Sequence, residues 1–170
     1  MRLENKIRAI PDFPKKGILF RDITTLLSDK KAFYASINLF AKELKEKRID
    51  YIVSVESRGF IFGGALAYKL NCGFVPVRKP SKLPAKIYRQ SYSLEYGKDS
   101  LEIHRDAFCG GKKVVVLDDL LATGGSAQAA AKLTEKAGGR VEAVIFLIEL
   151  EALGGRKKLK KYPVYSLIKY

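Results

Sequence analysis

Four consecutive apolar residues, Val114-Val115-Val116-Leu117, lead directly into two carboxylates, Asp118 and Asp119. A β-branched run of this kind, bounded upstream by Gly110-Gly111, reads as a strand buried on both faces. Such a strand belongs in a parallel sheet that carries helices on both sides. The carboxylates stand where the strand is expected to end. After Leu120-Leu121 comes a turn of small residues, Ala122-Thr123-Gly124-Gly125-Ser126, and then an alanine-rich helical pattern over residues 127–137.

Each part of this stretch suits a particular chemistry. Gly124 and Gly125 permit backbone angles closed to other residues and let a ligand reach the main chain. N–H groups converging at a helix N-terminus form an anion site whose usual occupant is phosphate. Thr123 and Ser126 add hydroxyls and can cap the helix. Asp118 and Asp119 would repel phosphate and suit hydroxyl groups or a hydrated divalent cation. A sugar phosphate satisfies both halves. A P-loop is excluded, since no Lys follows Gly125, and no Gly-x-Gly-x-x-Gly fingerprint occurs. By spacing alone, an ordinary strand–turn–helix with solvated carboxylates remains open.

The rest of the chain alternates strands with helices. Residues 6–27, with Pro11, Pro14 and Gly17, read as irregular, turn-rich backbone holding buried aromatics. Residues 31–47 carry Phe33, Ile37, Phe40, Ala41 and Leu44 at helical spacing, with Ser28 or Asp29 as cap. A strand over residues 51–55 ends at Glu56-Ser57-Arg58-Gly59 and feeds a helix over residues 60–70. The Gly59/Gly63 spacing implies close packing of that helix on the sheet. Residues 74–77 form a short strand that Pro76 assigns to an edge or a strand end. Residues 79–89 are basic and irregular: Arg78, Lys79, Lys82, Lys86 and Arg89 occur with no acid among them. Residues 91–95 and 100–103 read as a hairpin, residues 141–150 and 163–168 as strands, and residues 156–161 as a solvated basic cluster. His104 is expected to be exposed and incidental. The pattern specifies a parallel α/β sheet with right-handed crossovers. Because ligands of such sheets bind beyond the carboxyl ends of the strands, residues 56–58, 118–126 and the pair Arg78-Lys79 should surround one crevice.

A chain of 170 residues with 47% hydrophobic content fits one folded domain spanning residues 1–170 rather than a disordered chain. No apolar run is long enough for a membrane span, and the first residues lack a signal-peptide core, so a cytoplasmic location is expected. Cys72 and Cys109, outside any CxxC pattern, are read as reduced thiols. The net charge of +14 exceeds what a phosphorylated substrate requires and is read as solvated basic surface rather than a nucleic-acid face.

The run from Val115 to Ser126 resembles the 5-phosphoribosyl 1-diphosphate (PRPP) binding motif of the type I phosphoribosyltransferases. The resemblance implies that Asp118 and Asp119 bind the ribose hydroxyls, and that Ala122, Thr123, Gly124, Gly125 and Ser126 hold the 5′-phosphate. Val55-Glu56-Ser57-Arg58-Gly59-Phe60 resembles the pyrophosphate loop of the adenine-specific branch, which implies a cis peptide at Glu56-Ser57 and pyrophosphate contacts from Ser57 and Arg58. Arg78, Lys79 and Lys82 are then the candidate pyrophosphate cations of a flexible loop that excludes water. The segments Lys82-Leu83-Pro84 through Ser91-Tyr92-Ser93-Leu94-Glu95-Tyr96-Gly97, Gly17-Ile18-Leu19-Phe20-Arg21-Asp22-Ile23 and Leu153-Gly154-Gly155-Arg156-Lys157-Lys158-Leu159 extend the likeness to that branch over nearly the whole chain.

From that likeness follow a type I phosphoribosyltransferase fold, with residues 1–27 as a hood over the base and residues 79–103 as a flexible loop and hairpin. Leu19, Phe20 and the Arg21 main chain would line the adenine pocket. Glu95 would be the catalytic acid/base and Tyr96 would share its loop. The implied reaction converts adenine and PRPP to AMP and pyrophosphate in purine salvage. Mg²⁺ would be carried by PRPP rather than by protein ligands, and the enzyme would be a homodimer. A transferase for another purine base and a PRPP-responsive nucleic-acid-binding regulator are the alternatives.

Overall fold

The computed structural model describes residues 2–93 and 97–170, in two units divided between Leu39 and Phe40. In the first, a 3-10 turn at Leu3–Lys6 precedes two short antiparallel strands, β1 (Arg8–Ile10) and β2 (Phe20–Asp22), and a one-turn helix, α1 (Thr24–Ser28). The sequence reading of 6–27 as irregular is corrected here, because three-residue strands are too short to show a period. Nor are its aromatics all buried: Phe13 is 50% exposed and lies edge-on to Phe20, 5.1 Å between ring centres. The Asp22 carboxylate accepts from Arg8, from the Thr24 hydroxyl and from the Thr24 N–H. Helix α2 (Lys30–Glu43) is capped by Asp29, whose Oδ1 accepts from the N–H groups of Lys31 and Ala32. It stops four residues short of the expected Lys47.

The second unit is built on five parallel strands in the order β4-β3-β7-β8-β9. In chain order the elements are β3 (Tyr51–Val55), α3 (Arg58–Leu70), β4 (Gly73–Val77), β5 (Ile87–Ser93), β6 (Lys98–His104), β7 (Lys112–Leu121), α4 (Gly125–Lys136), β8 (Gly139–Glu149) and β9 (Val164–Lys169). Strands β5 and β6 form a separate antiparallel hairpin. It starts earlier than expected, at Ile87, since alternating polar residues hide its period. Strand β4 lies at the sheet edge, as Pro76 required.

The core follows from the pattern. Val114, Val115, Val116 and Leu117 are fully buried, and so are Val144 to Ile148 of β8. Helix α4 packs through Ala127, Ala129, Ala130 and Ala131, whose small side chains permit close approach to the sheet. Helix α3 comes in through Gly63, where an added methyl would collide with the Ser54 hydroxyl of β3. The peptide bond Glu56–Ser57 is cis, as the resemblance implied.

One strand boundary matters for the site. Strand β3 pairs with β7 only as far as Leu117, whereas β7 pairs with β8 as far as Leu121. The acidic pair therefore lies inside β7 rather than after it, on a stretch that projects past the end of its shorter neighbour. Extra pairing with β8 carries the strand through the carboxylates.

Candidate active site

Beyond the carboxyl ends of β3 and β7 lies a cavity of about 390 Å³, lined by residues 55–58, Lys79, Tyr92 and the continuous run 118–127. Of the three groups expected to share a crevice, residues 56–58 and the run 118–126 line it in full, and the pair Arg78-Lys79 contributes only its lysine. Arg78 and Lys82 sit one layer back, on Glu56. Leu19, Phe20 and Arg21 belong to the first unit, at the start of β2, where Leu19 is 48% exposed. Glu95 and Tyr96 lie outside the described residues.

The acidic pair is buried rather than solvated, Asp118 at 8% exposure and Asp119 at 5%. Burial pushes the Asp118 carboxyl well above its usual range, and the adjacent Asp119 charge adds to the rise. Burial also raises Asp119, opposed by Arg58, whose Nε lies 2.8 Å from Asp119 Oδ2. The site thus holds two close carboxylates whose charge is poorly solvated, a state that favours hydroxyl donors or a cation. Gly59 is what lets α3 start this near: a methyl there would stand 2.9 Å from Asp118 Oδ1.

The turn is an opening lined by main chain. Gly124 takes the left-handed conformation, φ 76°, and forms the N-cap of α4 without a side-chain hydrogen bond. Neither Thr123 nor Ser126 caps the helix, a correction to the sequence reading. The helix starts two residues earlier than its alanines suggested, and glycine at the cap accepts the positive φ that a hydroxyl residue resists. Gly125 lets the hairpin close in, since a methyl there would stand 3.0 Å from the Ser93 carbonyl oxygen and 3.1 Å from the Tyr92 ring.

Around the turn, cations are held on carboxylates. Glu56 takes Arg78 at 3.1 Å, Lys82 at 3.0 Å and the Lys79 N–H at 3.0 Å. Burial opposes its charge, but these donors together hold its carboxyl below the ordinary value. Lys79 reaches across to Asp99 of β6 and to the Tyr92 hydroxyl, which itself donates to Asp99. Burial disfavours the Lys79 ammonium, yet Asp99 and Tyr92 outweigh it and raise its pKa. Arg89 ends on Glu102, 2.5 Å away, and the Ser81 N–H donates to the same carboxylate.

Sequence reasoning missed Tyr92 and Asp99. Their alternation with exposed Ser91 and Ser93 was a usable signal for Tyr92; Asp99 meets Lys79 only through the fold. His104 is half-buried rather than exposed, and its Nε2 accepts from the Ala85 N–H at 3.4 Å. Cys72 and Cys109 form no disulfide, and burial raises the Cys72 thiol, with the Asp50 charge adding to the rise. Among the described residues no group of three or more His, Cys, Asp or Glu side chains is placed to hold a metal ion, and no helix is long and apolar enough to cross a membrane.

The phosphoribosyl transferase domain family matches residues 24–169. The adenine phosphoribosyltransferase of Trichodesmium erythraeum is 57% identical over 170 residues, all of both chains. The crystal structure of adenine phosphoribosyltransferase from Thermoanaerobacter pseudethanolicus superposes with a TM-score of 0.96 at 58% identity, covering 99% of this chain and 98% of that one. The Saccharomyces cerevisiae enzyme, complexed with adenine and an imino-altritol bisphosphate, gives a TM-score of 0.92 at 42% identity, covering 97% and 96%. The parallel sheet, the acidic end of β7 and the glycine turn are thus a type I phosphoribosyltransferase arrangement, and the chain belongs to the adenine phosphoribosyltransferase family.

Proposed function

We propose that this chain transfers the 5-phosphoribosyl group of PRPP to adenine, giving AMP and pyrophosphate. The observation that carries the reading is the single cavity in which buried Asp118 and Asp119 adjoin the turn 122–126 and the cations Arg58 and Lys79. In this reading the turn binds the 5′-phosphate through main-chain N–H groups, and the acidic pair accepts from the ribose hydroxyls. Ser57, Arg58, Arg78, Lys79 and Lys82 take the pyrophosphate end. Since Arg58, Arg78, Lys79 and Lys82 start on carboxylates, PRPP binds by exchanging one set of ion pairs for another. The base falls, by the family resemblance, to Leu19, Phe20 and the Arg21 main chain, with residues 1–27 as hood. Glu95 would manage the proton at adenine N7 as N9 becomes the nucleophile, with Tyr96 on the same loop.

The reaction breaks the C1′–O bond to a heavily charged leaving group, so positioning and charge stabilisation supply most of the catalysis. The donor set fits Mg²⁺ arriving on PRPP, with Asp118 and Asp119 the buried carboxylates available to its hydration shell; when bound, the ion neutralises charge on the leaving group. We further propose, following the family, a single functional domain acting as a cytoplasmic homodimer with residues 79–103 closing over the ligands.

The test is AMP formation from radiolabelled adenine with PRPP and Mg²⁺, beside hypoxanthine, guanine and xanthine. Selective use of adenine is expected. Preference for another base moves the chain to a different purine, and no transfer with PRPP still bound makes it a binding protein. Loss of turnover in Glu95→Gln is expected if Glu95 handles the proton; near wild-type turnover removes that role.

A further inference from the structure

The segment Gly154-Gly155-Arg156 has no part in the reading above, yet its main chain lies against the turn. A methyl on Gly155 would collide with the Ala122 carbonyl oxygen and stand 2.9 Å from the Gly124 nitrogen; a methyl on Gly124 would collide with the Gly155 carbonyl oxygen. Two stretches of backbone therefore meet where each has given up its side chain. Gly155 is buried and its φ is not left-handed, so the requirement here is space alone.

Arg156 fixes the segment in that place. Its Nε donates to Glu149 Oε1 at 2.9 Å, its Nη2 to Glu149 Oε2 at 2.5 Å and its Nη1 to the Val164 carbonyl at 2.8 Å. Glu149 is 4% exposed, takes a further bond from the Ser166 hydroxyl, and lies in register with Leu121, the last residue before the turn. A planar fork on a buried carboxylate sets distance and angle together, which a lysine would not. From the other side, Gln128 of α4 donates to the Lys158 carbonyl at 2.8 Å, and Leu159 is fully buried. The basic cluster is thus more than solvated surface: its first residue and its leucine are anchors.

We infer that residues 154–159 brace the turn 122–126, with Gly155 and Arg156 as positioning residues that set where its N–H groups stand around the 5′-phosphate of the substrate. The inference rests on the reading of that turn as the 5′-phosphate site. A brace of this kind acts on phosphorylated ligands and leaves the base untouched.

The experiment measures KM for PRPP and for adenine, together with calorimetric binding of ribose 5-phosphate, in the wild type, Gly155→Ala and Arg156→Lys, each checked for folding by circular dichroism. In Gly155→Ala, KM for PRPP and the dissociation constant of ribose 5-phosphate should rise about tenfold or more, while KM for adenine stays within about twofold. Arg156→Lys should show the same split at smaller size. A folded Gly155→Ala with unchanged ribose 5-phosphate affinity overturns the brace; if that variant does not fold, unchanged affinity in Arg156→Lys overturns it. Wild-type protein that binds no ribose 5-phosphate removes the phosphate site itself, and the brace with it.

Discussion

Asp118 and Asp119 place two carboxylates side by side in a region that solvates them poorly, and burial holds both above their usual range. An arrangement that strains the folded state while facing a cavity is one kept for its ligand. Asp118→Asn with Asp119→Asn should therefore weaken PRPP binding by about 1.5–3 kcal/mol for each lost charged acceptor, yet leave the melting temperature equal or higher. Titration calorimetry and thermal unfolding on the same sample check both halves; unaltered PRPP affinity would refute the ribose assignment. Lys79 presents the complementary case, a cation shared with Asp99 and Tyr92. Asp99→Asn removes its internal competitor and should lower KM for PRPP about two- to fivefold, the range of a partly exposed ion pair. The effect should vanish when Lys79 is methionine, and persistence there would show that Asp99 acts on something else.

Elements, in this molecule, are positioned by what is missing from them as much as by what they bury. Helix α3 reaches the sheet because Gly63 has no side chain against Ser54 and Phe74. Gly63→Ala should lower stability by about 1–3 kcal/mol through overpacking, read by urea unfolding. The β1–β2 ribbon is secured differently, by the Asp22 carboxylate. The Thr24 N–H, Arg8 and the Thr24 hydroxyl lower its pKa from 3.8 to about 2. A depressed folded-state value means that this contribution is present in full above the unfolded pKa and is lost as pH falls through the folded one. Unfolding midpoints measured from pH 5 downward should therefore drop more steeply between about 4 and 2 in the wild type than in Asp22→Asn. Parallel curves would remove Asp22 from the acid response.

For the molecule as a whole, a net charge of +14 makes the approach of a multiply charged anion depend on ionic strength, whereas neutral adenine feels little of it. The value of kcat/KM for PRPP should fall several-fold as salt is raised through roughly 0.05–0.5 M, where the screening length shrinks from about 14 to about 4 Å, while that for adenine changes little. Equal salt dependence for both substrates would show that the surface charge plays no part in substrate capture.

Local pattern alone determined the strands over 51–55 and 114–117, the helices that follow them, and the meeting of 56–58 with 118–126, because a doubly buried strand has one kind of home and its ligand end follows from the chain direction. Pro76 at an edge and Gly63 against the sheet were legible for the same reason: each residue type has few places it fits. What only the tertiary structure decided depends on neighbours distant in sequence. Strand β7 runs on through its carboxylates because β8 is long enough to pair with them. Glu56 holds Arg78 and Lys82, and Lys79 finds Asp99 on the hairpin. Gly155 backs the turn 122–126 from about 30 residues further along the chain because Arg156 is pinned to a glutamate on β8 and a carbonyl at the start of β9. Periodicity records the face a residue turns to the core; it carries no record of which distant charge or main chain it will meet there.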